Sequence, residues 1–211
     1  MQDTLEFPVD IEHDGLRLIV MVIFIVLSII SSGVISAIVS ANTINLIALL
    51  GGVAVAAGLT YLIEQQLKQR WKSGRKILVG DDEIQLQRRQ ETATTMTIED
   101  EPFVLKWRFK INKRTRVPKG WYVVATVLEK DDEYIAVYTL MSPEAYKQFD
   151  PDTVFSMLQK PDKKVGSDSL RLAGEQRRLH KMESVRWHEG VEMTNEHFMA
   201  YVQQVDRVFG R

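Results

Sequence analysis

Cysteine is absent from the chain, and other signatures of catalytic chemistry are missing with it. Without cysteine there are no disulfides, thiolate metal sites or cysteine nucleophiles, and the redox compartment stays undetermined. The sequence contains four histidines and no Gly-x-Ser-x-Gly elbow, P-loop or Gly-x-Gly-x-x-Gly fingerprint. We therefore expect no enzymatic activity and no cofactor. The formal net charge of -1 gives no overall attraction to nucleic acid, so any electrostatic function must be local.

Charge is missing from one long stretch of the sequence, because no Asp, Glu, Lys, Arg or His occurs over residues 18–63. This stretch contains two apolar runs, residues 18–40 and 44–63. At about 1.5 Å per helical residue, each run can cross a hydrocarbon core of about 30 Å. The sequence therefore predicts a transmembrane hairpin within residues 17–74, after an acidic tail at residues 1–16. A signal peptide and a buried pair of soluble helices are the alternatives, and the acidic tail argues against a signal peptide.

The segment after the second run is basic and includes an aromatic side chain suited to a membrane interface. Its residues are Lys68, Arg70, Trp71, Lys72 and Arg75. Because Lys and Arg concentrate on the cytoplasmic side of membrane proteins, this segment predicts a cytoplasmic soluble domain on a cell-membrane protein. Two crossings return the N-terminus to the same side, so both termini are expected in the cytoplasm. Alternatively, these cations contact anionic lipids, at about 1 kcal/mol per basic residue near the surface.

Each apolar run carries a stripe of small residues at every fourth position. An antiparallel hairpin folded about residue 44 would bring the two stripes together and let the helices approach closely. The predicted register pairs Ser40 with Ala48, Ser36 with Gly52, Ser32 with Ala56, and Ser28 with Thr60. Alternatively, one stripe docks another subunit or a membrane-protein partner. Since neither run contains an ionisable residue, we expect no ion pathway or transport site within the hairpin.

Beyond the hairpin the hydrophobic pattern changes from helical to alternating. Strands are predicted, in chain order, at residues 76–79, 83–87, 103–111, 121–128 and 134–140. Residues 90–100 are polar and threonine-rich, which is typical of a loop or of a weak edge strand. The sequence thus predicts an α+β domain in which about five mainly antiparallel strands precede the helices.

Helix signals begin where the predicted strands end. Ser142 is a favourable N-cap and Pro143 suits the first helical position, so a helix is predicted there. Residues 150–158 repeat this signal and are predicted to form a second short helix. These elements complete a β-rich domain over residues 75–160.

The remaining residues, 161–211, are predicted to form a helical segment. One helix is expected over residues 169–187, and Thr194 is expected to cap the last helix. The last helix has an apolar face at i, i+3, i+4 and i+7 spacing, which must be buried against the domain or against a partner. The residues of this face are Phe198, Tyr201, Val202, Val205 and Phe209.

The order of elements around residues 71–86 resembles a known family. A hairpin that runs into Gly-Arg-Lys-Ile-Leu-Val-Gly-Asp-Asp-Glu-Ile-Gln-Leu is similar to the membrane-anchored bacterial PH-like proteins. Those proteins place a short β-rich domain after paired transmembrane helices. The resemblance implies a non-enzymatic domain for membrane-proximal interaction, and it names no ligand. The chain departs from the family pattern because several helical segments, rather than one, follow Leu140.

A basic surface is the main electrostatic feature of the predicted domain. Seven positive charges fall within fourteen residues, on the strand at 103–111 and the loop that follows it. They are Lys106, Arg108, Lys110, Lys113, Arg114, Arg116 and Lys119. A solvated strand face with a flexible loop is one interpretation, and contact with anionic headgroups or a partner is the other. Nucleic-acid binding is not expected, because the chain is tethered to a membrane and nearly neutral overall.

His188 and Glu192 are the candidate metal ligands. They would share a helical face if one helix ran through both, but Gly190 favours a break between them.

Three functions follow from the sequence. A non-catalytic membrane-anchored module for interaction or assembly, with a membrane-protein partner or with itself, is favoured. A PH-like domain that senses anionic lipid headgroups is the alternative, and a metal-dependent enzyme is the second alternative.

Overall fold

The computed structural model describes residues 4–10, 14–39, 46–71, 73–89, 91–113, 116–149, 154–159 and 170–210. The chain divides into two compact units. One unit is Ile11–Ser73, and the other combines Met1–Asp10 with Gly74–Arg211. The second unit is therefore discontinuous in sequence, because the first is inserted into it.

The inserted unit is a pair of helices, α1 (Asp14–Val39) and α2 (Leu46–Arg70). Both are long and apolar enough to cross a membrane, with mean hydropathies of 3.0 over Gly15–Ile38 and 1.4 over Ala48–Lys68. Helix α2 continues past the end of its apolar run to Arg70. The residues that connect the two helices lie outside the described residues.

The two helices pack more closely at Gly52 than a side chain would allow. A Cβ atom added to Gly52 would lie 2.6 Å from Ser32 Cα, so the helix backbones meet there. The predicted pairing of Gly52 with Ser36 is therefore wrong by one helical turn. The error has a physical origin, since stripes that repeat every fourth residue again oppose small residues after a slip of one turn. Glycine decides between these registers because it permits the closest approach.

The other small residues follow from this register. In an antiparallel pair, the contact between Gly52 and Ser32 brings Ala56 level with Ser28 and Ala48 level with Ser36. Ala48, Ala56 and Thr60 are all buried, which supports packing within the hairpin rather than against a partner. Ser28 donates its hydroxyl hydrogen bond back to the Phe24 carbonyl at 2.7 Å. The predicted contact of Ser40 lies outside the described residues.

A four-stranded antiparallel sheet forms the first layer of the second unit. Its strands, in spatial order, are β1 (Leu5–Pro8), β2 (Arg75–Val79), β3 (Glu83–Arg88) and β4 (Glu91–Thr97). The β2–β3 hairpin was predicted, and β4 confirms the edge-strand interpretation of residues 90–100. A short 3₁₀ turn, Ile98–Asp100, follows β4.

Strand β1 corrects the prediction of an acidic tail at residues 1–16. It pairs with β2 in the register Phe7 to Ile77, and Phe7 and Val9 are buried in the core of the unit. A strand of four residues that contains Pro8 gives a weak signal, and its partner lies about 70 residues later. Proline is tolerated here because β1 is the edge strand of its sheet.

The second sheet is built on an antiparallel meander of β5 (Phe103–Lys110), β6 (Tyr122–Lys130) and β7 (Glu133–Met141). Two short strands extend it in parallel at its edges, β8 (Ser156–Met157) on β5 and β9 (Val191–Glu192) on β7. The meander was predicted. The short helix predicted over residues 150–158 is wrong at β8, and its first residues lie outside the described ones. The described residues of the unit form nine strands, more than the predicted number of about five.

Three helices complete this unit: α3 (Pro143–Phe149), α4 (Leu170–Glu189) and α5 (Asn195–Phe209). The predicted caps are confirmed, since Ser142 Oγ accepts from the Ala145 N–H at 3.2 Å and Thr194 Oγ1 accepts from the His197 N–H at 3.4 Å. The start of the helix predicted at residue 169 lies outside the described residues. Both α4 and α5 belong to the same compact unit as the sheets.

Two cores hold this unit together. The larger lies between the four-stranded sheet, one side of the five-stranded sheet and α5, and the smaller joins the other side of the five-stranded sheet to α4. The apolar face of α5 packs into the larger core. Its buried residues are Phe198, Tyr201, Val202 and Val205, and Phe209 packs at the margin of the core. Of the two alternatives predicted for this face, burial against the domain is therefore the one observed, and the partner-docking alternative is not supported.

Candidate functional site

Two of the three cations on strand β5, Lys106 and Arg108, have partners within the folded unit. Lys106 forms an ion pair with Asp206 of α5, and only 11% of its side chain is exposed. Arg108 Nε donates to the Phe155 carbonyl at 3.2 Å, and its guanidinium lies 5.8 Å from the Tyr146 ring centroid. The long aliphatic stems of these side chains run over apolar surface to reach their partners. These two side chains therefore contribute little free charge.

The last residue of β5 and the loop that follows it keep more of their predicted charge at the surface. Lys110, Lys113 and Lys119 are exposed, and Arg114 lies outside the described residues. The Lys110 ammonium lies 5.7 Å from the Tyr122 ring centroid, at the base of the loop. Arg116 is half-exposed and forms an ion pair with Glu192 of β9. Among the described cations, Lys106 and Arg108 therefore have partners within the unit, whereas the exposed charge is that of the three lysines.

Glu192 belongs to a group of polar side chains that we call the junction cluster: Asp10, Arg75, Arg116, Tyr138 and Glu192. Asp10 N donates to the Glu192 carbonyl at 2.8 Å, and Asp10 Oδ1 accepts from the Glu192 N–H at 2.8 Å. Arg75 donates from Nη1 to Asp10 Oδ2 at 2.9 Å. The cluster therefore ties the last residue before the inserted hairpin to the start of the strand after it.

Tyr138 and Arg116 complete the cluster on its other side. The Tyr138 hydroxyl donates to Glu192 Oε2 at 3.2 Å, and the same carboxylate oxygen accepts from Arg116. Burial raises the pKa of Tyr138, and the charge of Glu192 adds to this effect. Tyr138 thus stays protonated near neutral pH and acts as a hydrogen-bond donor. The basic loop, β9 and both chain connections to the hairpin are consequently held at one end of the unit.

Further cations lie at this same end, which we call the junction end. Arg75 pairs with Arg88 across the β2–β3 ladder, and the Arg89 N–H donates to the Gly74 carbonyl at 2.6 Å. Arg88 and Arg89 are both exposed. The sequence prediction did not single them out, although their pairing with the first residue of β2 follows from the predicted hairpin.

An exposed tryptophan also lies close to the junction end. Trp187 is 74% exposed, in the last turn of α4. Two residues later, the Glu189 carbonyl accepts from Arg75 Nη2 at 3.5 Å. The preceding Arg186 is buried, with its guanidinium 4.6 Å from the Tyr138 ring centroid and paired with Glu183 at 2.6 Å. The sequence prediction missed Trp187 because exposure cannot be read from one aromatic residue at the end of a charged helix.

The structure does not support a metal site formed by His188 and Glu192. Helix α4 ends at Glu189, so His188 and Glu192 do not share a helical face. Glu192 instead bonds to Arg116 and Tyr138. Within the described ranges, no group of three or more His, Asp or Glu side chains is arranged to hold a metal ion.

The juxtamembrane residues do not form a single group. Lys68 pairs with Glu64 one turn earlier on α2 at 2.8 Å, and Arg70 is exposed. Trp71 is partly exposed, and its N–H continues the helical pattern by donating to the Leu67 carbonyl at 2.7 Å. Lys72 lies outside the described residues, and Arg75 belongs to the junction cluster.

Comparison of the chain with known protein families, curated proteins and solved structures finds no match.

Proposed function

We propose that this protein is a non-catalytic module that crosses a cell membrane twice and holds its cytoplasmic α+β domain against anionic lipid headgroups. The observation that carries the proposal is the junction cluster. It brings the two connections to the hairpin and the basic loop to one end of the domain. The exposed lysines at the end of β5 and in the following loop would then lie on the membrane side of the domain.

The sheet topology supports an even number of membrane crossings. Strands β1 and β2 are neighbours in one sheet, although the hairpin is inserted between them. The chain must therefore leave and re-enter the domain on the same side of the membrane. Two apolar helices satisfy this requirement, and the basic residues after α2 favour the cytoplasmic side.

Chain connectivity limits how far the junction end can be from the bilayer. Residues 11–13 are the only link between Asp10 and the start of α1. Because an extended chain spans at most about 3.5 Å per residue, this link reaches roughly 14 Å. Exposed cations within that distance of an anionic surface each contribute about 1 kcal/mol. Trp187 adds an amphipathic side chain of the kind that favours membrane interfaces.

One other observation bears on the choice between lipid and protein partners. The resemblance to the PH-like proteins stays a prediction, since helices α3, α4 and α5 follow the long strands where that family has a single helix. The role in assembly loses much of its support, because the small-residue stripes and the α5 face are both occupied by internal packing. Contact with lipid headgroups is therefore the favoured function, and a membrane-protein partner or self-association is the alternative.

The test uses a hairpin-free chain, in which a short Gly-Ser linker replaces residues 11–73. A fragment that starts at residue 75 would lack β1, whereas the 2.9 Å contact between Asp10 and Arg75 makes the linker easy to close. Sedimentation with phosphatidylcholine vesicles is compared with sedimentation with vesicles that also contain phosphatidylglycerol. We expect binding to the anionic vesicles alone. The double variant Lys113→Gln/Lys119→Gln should weaken it by at least about tenfold, since two contacts of about 1 kcal/mol are lost.

The matched control removes two cations away from the junction end. Arg177 is exposed on α4, and Arg207 lies beside Asp81 in the turn at the opposite end of β2. The variant Arg177→Gln/Arg207→Gln has the same net charge as the loop variant and should bind almost as the parent does. Equal losses in the two variants, or equal binding to neutral and anionic vesicles, would contradict the proposal.

A further inference from the structure

The five-stranded sheet ends in a strand of two residues on each side, with β8 at one edge and β9 at the other. An edge strand exposes backbone N–H and C=O groups, which can pair with a strand of another chain. At both edges of this sheet, outward backbone groups instead bond to a residue that belongs to neither β8 nor β9. The two edges are therefore covered in the same way.

At β8 the outward groups are taken by a glutamine side chain of α4. The Leu158 N–H donates to the Arg108 carbonyl of β5 at 2.9 Å. Because backbone groups alternate in direction along a strand, those of Met157 and Gln159 point away from the sheet. Gln176 Nε2 donates to the Met157 carbonyl at 3.1 Å, and Gln176 Oε1 accepts from the Gln159 N–H at 2.9 Å. A residue of an adjacent parallel strand would form the same pair of bonds.

At β9 the outward groups are taken by Asp10. The Met193 N–H donates to the Tyr138 carbonyl of β7 at 2.9 Å, so the backbone groups of Glu192 point away from the sheet. The Glu192 carbonyl accepts from the Asp10 N–H, and the Glu192 N–H donates to Asp10 Oδ1, both at 2.8 Å. Asp10 thus covers the second edge with one backbone group and one side-chain group.

The four-stranded sheet also has edges that are unfavourable for pairing. Edge strand β1 contains Pro8, which has no N–H to donate. The ladder between β3 and the other edge strand, β4, shifts register between Leu86 and Gln87, which is typical of a bulge. At the end of β4, the Thr97 N–H donates to Asp100 Oδ2 at 2.9 Å. Devices of this kind prevent edge-to-edge association in natural sheets.

We propose that Gln176 is an edge cap: its side-chain amide takes the place of a strand on β8 and keeps this edge closed to a second copy of the chain. Gln176 belongs to a helix, so it can be changed without altering a strand or a turn. Val154 and Met157 are exposed beside it, at 54% and 50%. An uncovered β8 would therefore present free backbone groups next to apolar surface, which favours association between edges.

The edge cap goes beyond the proposed function, and it acts whether or not the junction end contacts lipid. It bears on self-association, because a domain with covered edges does not pair through its sheets. A second copy is the occupant expected at an uncovered β8, since two identical edge strands can pair antiparallel about a two-fold axis, with the same residues on both sides.

The experiment uses the full chain in detergent and compares the parent with Gln176→Leu and Gln203→Leu. Gln176→Leu removes both bonds to β8 and leaves a side chain of similar size. Gln203→Leu is the matched control, because it makes the same change at an exposed position of α5. In sedimentation velocity, Gln176→Leu should self-associate at a concentration at least about tenfold lower than the parent or the control requires, since its edge gains new hydrogen bonds between copies.

Amide hydrogen exchange, at a concentration below that of self-association, separates loss of the cap from loss of the fold. In Gln176→Leu, peptides that contain Gln159 should exchange roughly fivefold faster, because one hydrogen bond is lost. Peptides from β6 and β7 should keep the parental rate. If they do not, Gln176→Glu replaces this variant: its carboxylate still accepts from the Gln159 N–H but cannot donate to the Met157 carbonyl, and it should raise self-association to a smaller extent.

A single cysteine locates the association, because the chain contains none of its own. Met157→Cys combined with Gln176→Leu should form disulfide-linked dimers more readily than Met157→Cys alone. Equal self-association of Gln176→Leu and Gln203→Leu, or equal cross-linking in the two backgrounds, would overturn the proposal. These variants leave the basic loop intact, so their failure can be told apart from failure of the vesicle-binding test.

Discussion

Helices α1 and α5 both carry many large apolar side chains, but these side chains are largely exposed on α1 and buried on α5. On α5 the large apolar residues are buried, and Tyr201 and Val205 have no exposed surface at all. On α1 many of the large apolar residues are exposed, with Ile29 at 69% and Ile38 at 75%, while on α2 the small residues Ala48 and Ala56 are buried. The difference is the one expected between a core formed in water and a helix pair surrounded by lipid.

This contrast shows which forces hold each unit together. In the domain, burying large side chains removes them from water and supplies most of the stability. If the hairpin crosses a membrane, as we propose, the surrounding lipid is as apolar as its side chains, so close contact between small residues has to hold the helices together. Variants that remove volume should therefore damage the domain, and variants that add volume should damage the hairpin.

The largest effect is expected for loss of volume in the domain at Phe7. Its side chain is buried, with its ring centroid 6.2 Å from that of Tyr201. Phe7→Ala should lower the free energy of unfolding of the hairpin-free chain by about 3–5 kcal/mol, measured by urea denaturation. Leu5→Ala removes a largely exposed side chain at the first residue of the same strand and should cost less than about 1 kcal/mol. Similar costs for both would mean that β1 is not part of the core.

The strand that contains Phe7 also shows which elements could not be predicted from the sequence. Strands β5, β6 and β7 and the caps at Ser142 and Thr194 were predicted, because alternation and capping are local signals. Strand β1 was missed because its signal lies in a partner far along the chain. The two-residue strands β8 and β9 were missed for the same reason, since they exist only as edges of a sheet that other elements build.

The residues of the candidate site likewise divide into those that the local sequence could locate and those that depend on tertiary packing. The charges of the loop after β5 could be located from the sequence, because the basic residues follow a clear strand. The partners of Lys106 and Arg108 could not, because Asp206 and Phe155 reach them only after α5 and β8 have packed. The junction cluster was also beyond prediction, since Asp10 and Glu192 are 182 residues apart in the sequence.

The next largest effect is expected for gain of volume in the hairpin at Gly52. Gly52→Ala places a methyl group against the Ser32 backbone and should force the helices apart, at a cost of about 1–3 kcal/mol. Gly58→Ala is the matched control, because a Cβ there meets nothing within 4 Å and gains the same helix propensity of about 1 kcal/mol. Thermal unfolding of the full chain in detergent should give a lower transition temperature for Gly52→Ala than for Gly58→Ala.

The register of the hairpin can be tested in the same protein, because the chain contains no cysteine of its own. The pair Ser28→Cys/Ala56→Cys should form a disulfide more readily than Ser32→Cys/Ala56→Cys, which corresponds to the register predicted from sequence. Mobility on a non-reducing gel measures this directly. The reverse order of cross-linking would restore the sequence-based register and remove the role given to Gly52.

A smaller effect, of opposite sign, is expected at Tyr201 in the domain core. Its hydroxyl is buried without a partner in the part of the chain that the structure describes, and this burial raises the pKa of Tyr201. Tyr201→Phe removes only the unsatisfied group and should raise the free energy of unfolding by about 1 kcal/mol. Tyr138→Phe, which loses the bond to Glu192, should lower it by about the same amount. Destabilisation by both variants would indicate that Tyr201 has a hydrogen-bond partner after all.

The smallest effect concerns the domain surface, where neither volume nor lipid is involved. Asp100 accepts hydrogen bonds from Lys130 and Thr97, which lower the pKa of Asp100 to about 2. Because this folded-state pKa lies below the usual value of 3.8, the ionised carboxylate stabilises the fold above about pH 4, and this contribution is lost as the pH falls towards 2. Asp100→Asn should therefore destabilise the hairpin-free chain slightly at pH 6 and have less effect at pH 2.5, by urea denaturation. Asp132→Asn, in the exposed turn after Lys130, should show no such pH dependence; a matching dependence there would assign the effect to overall charge rather than to the Asp100 hydrogen bonds.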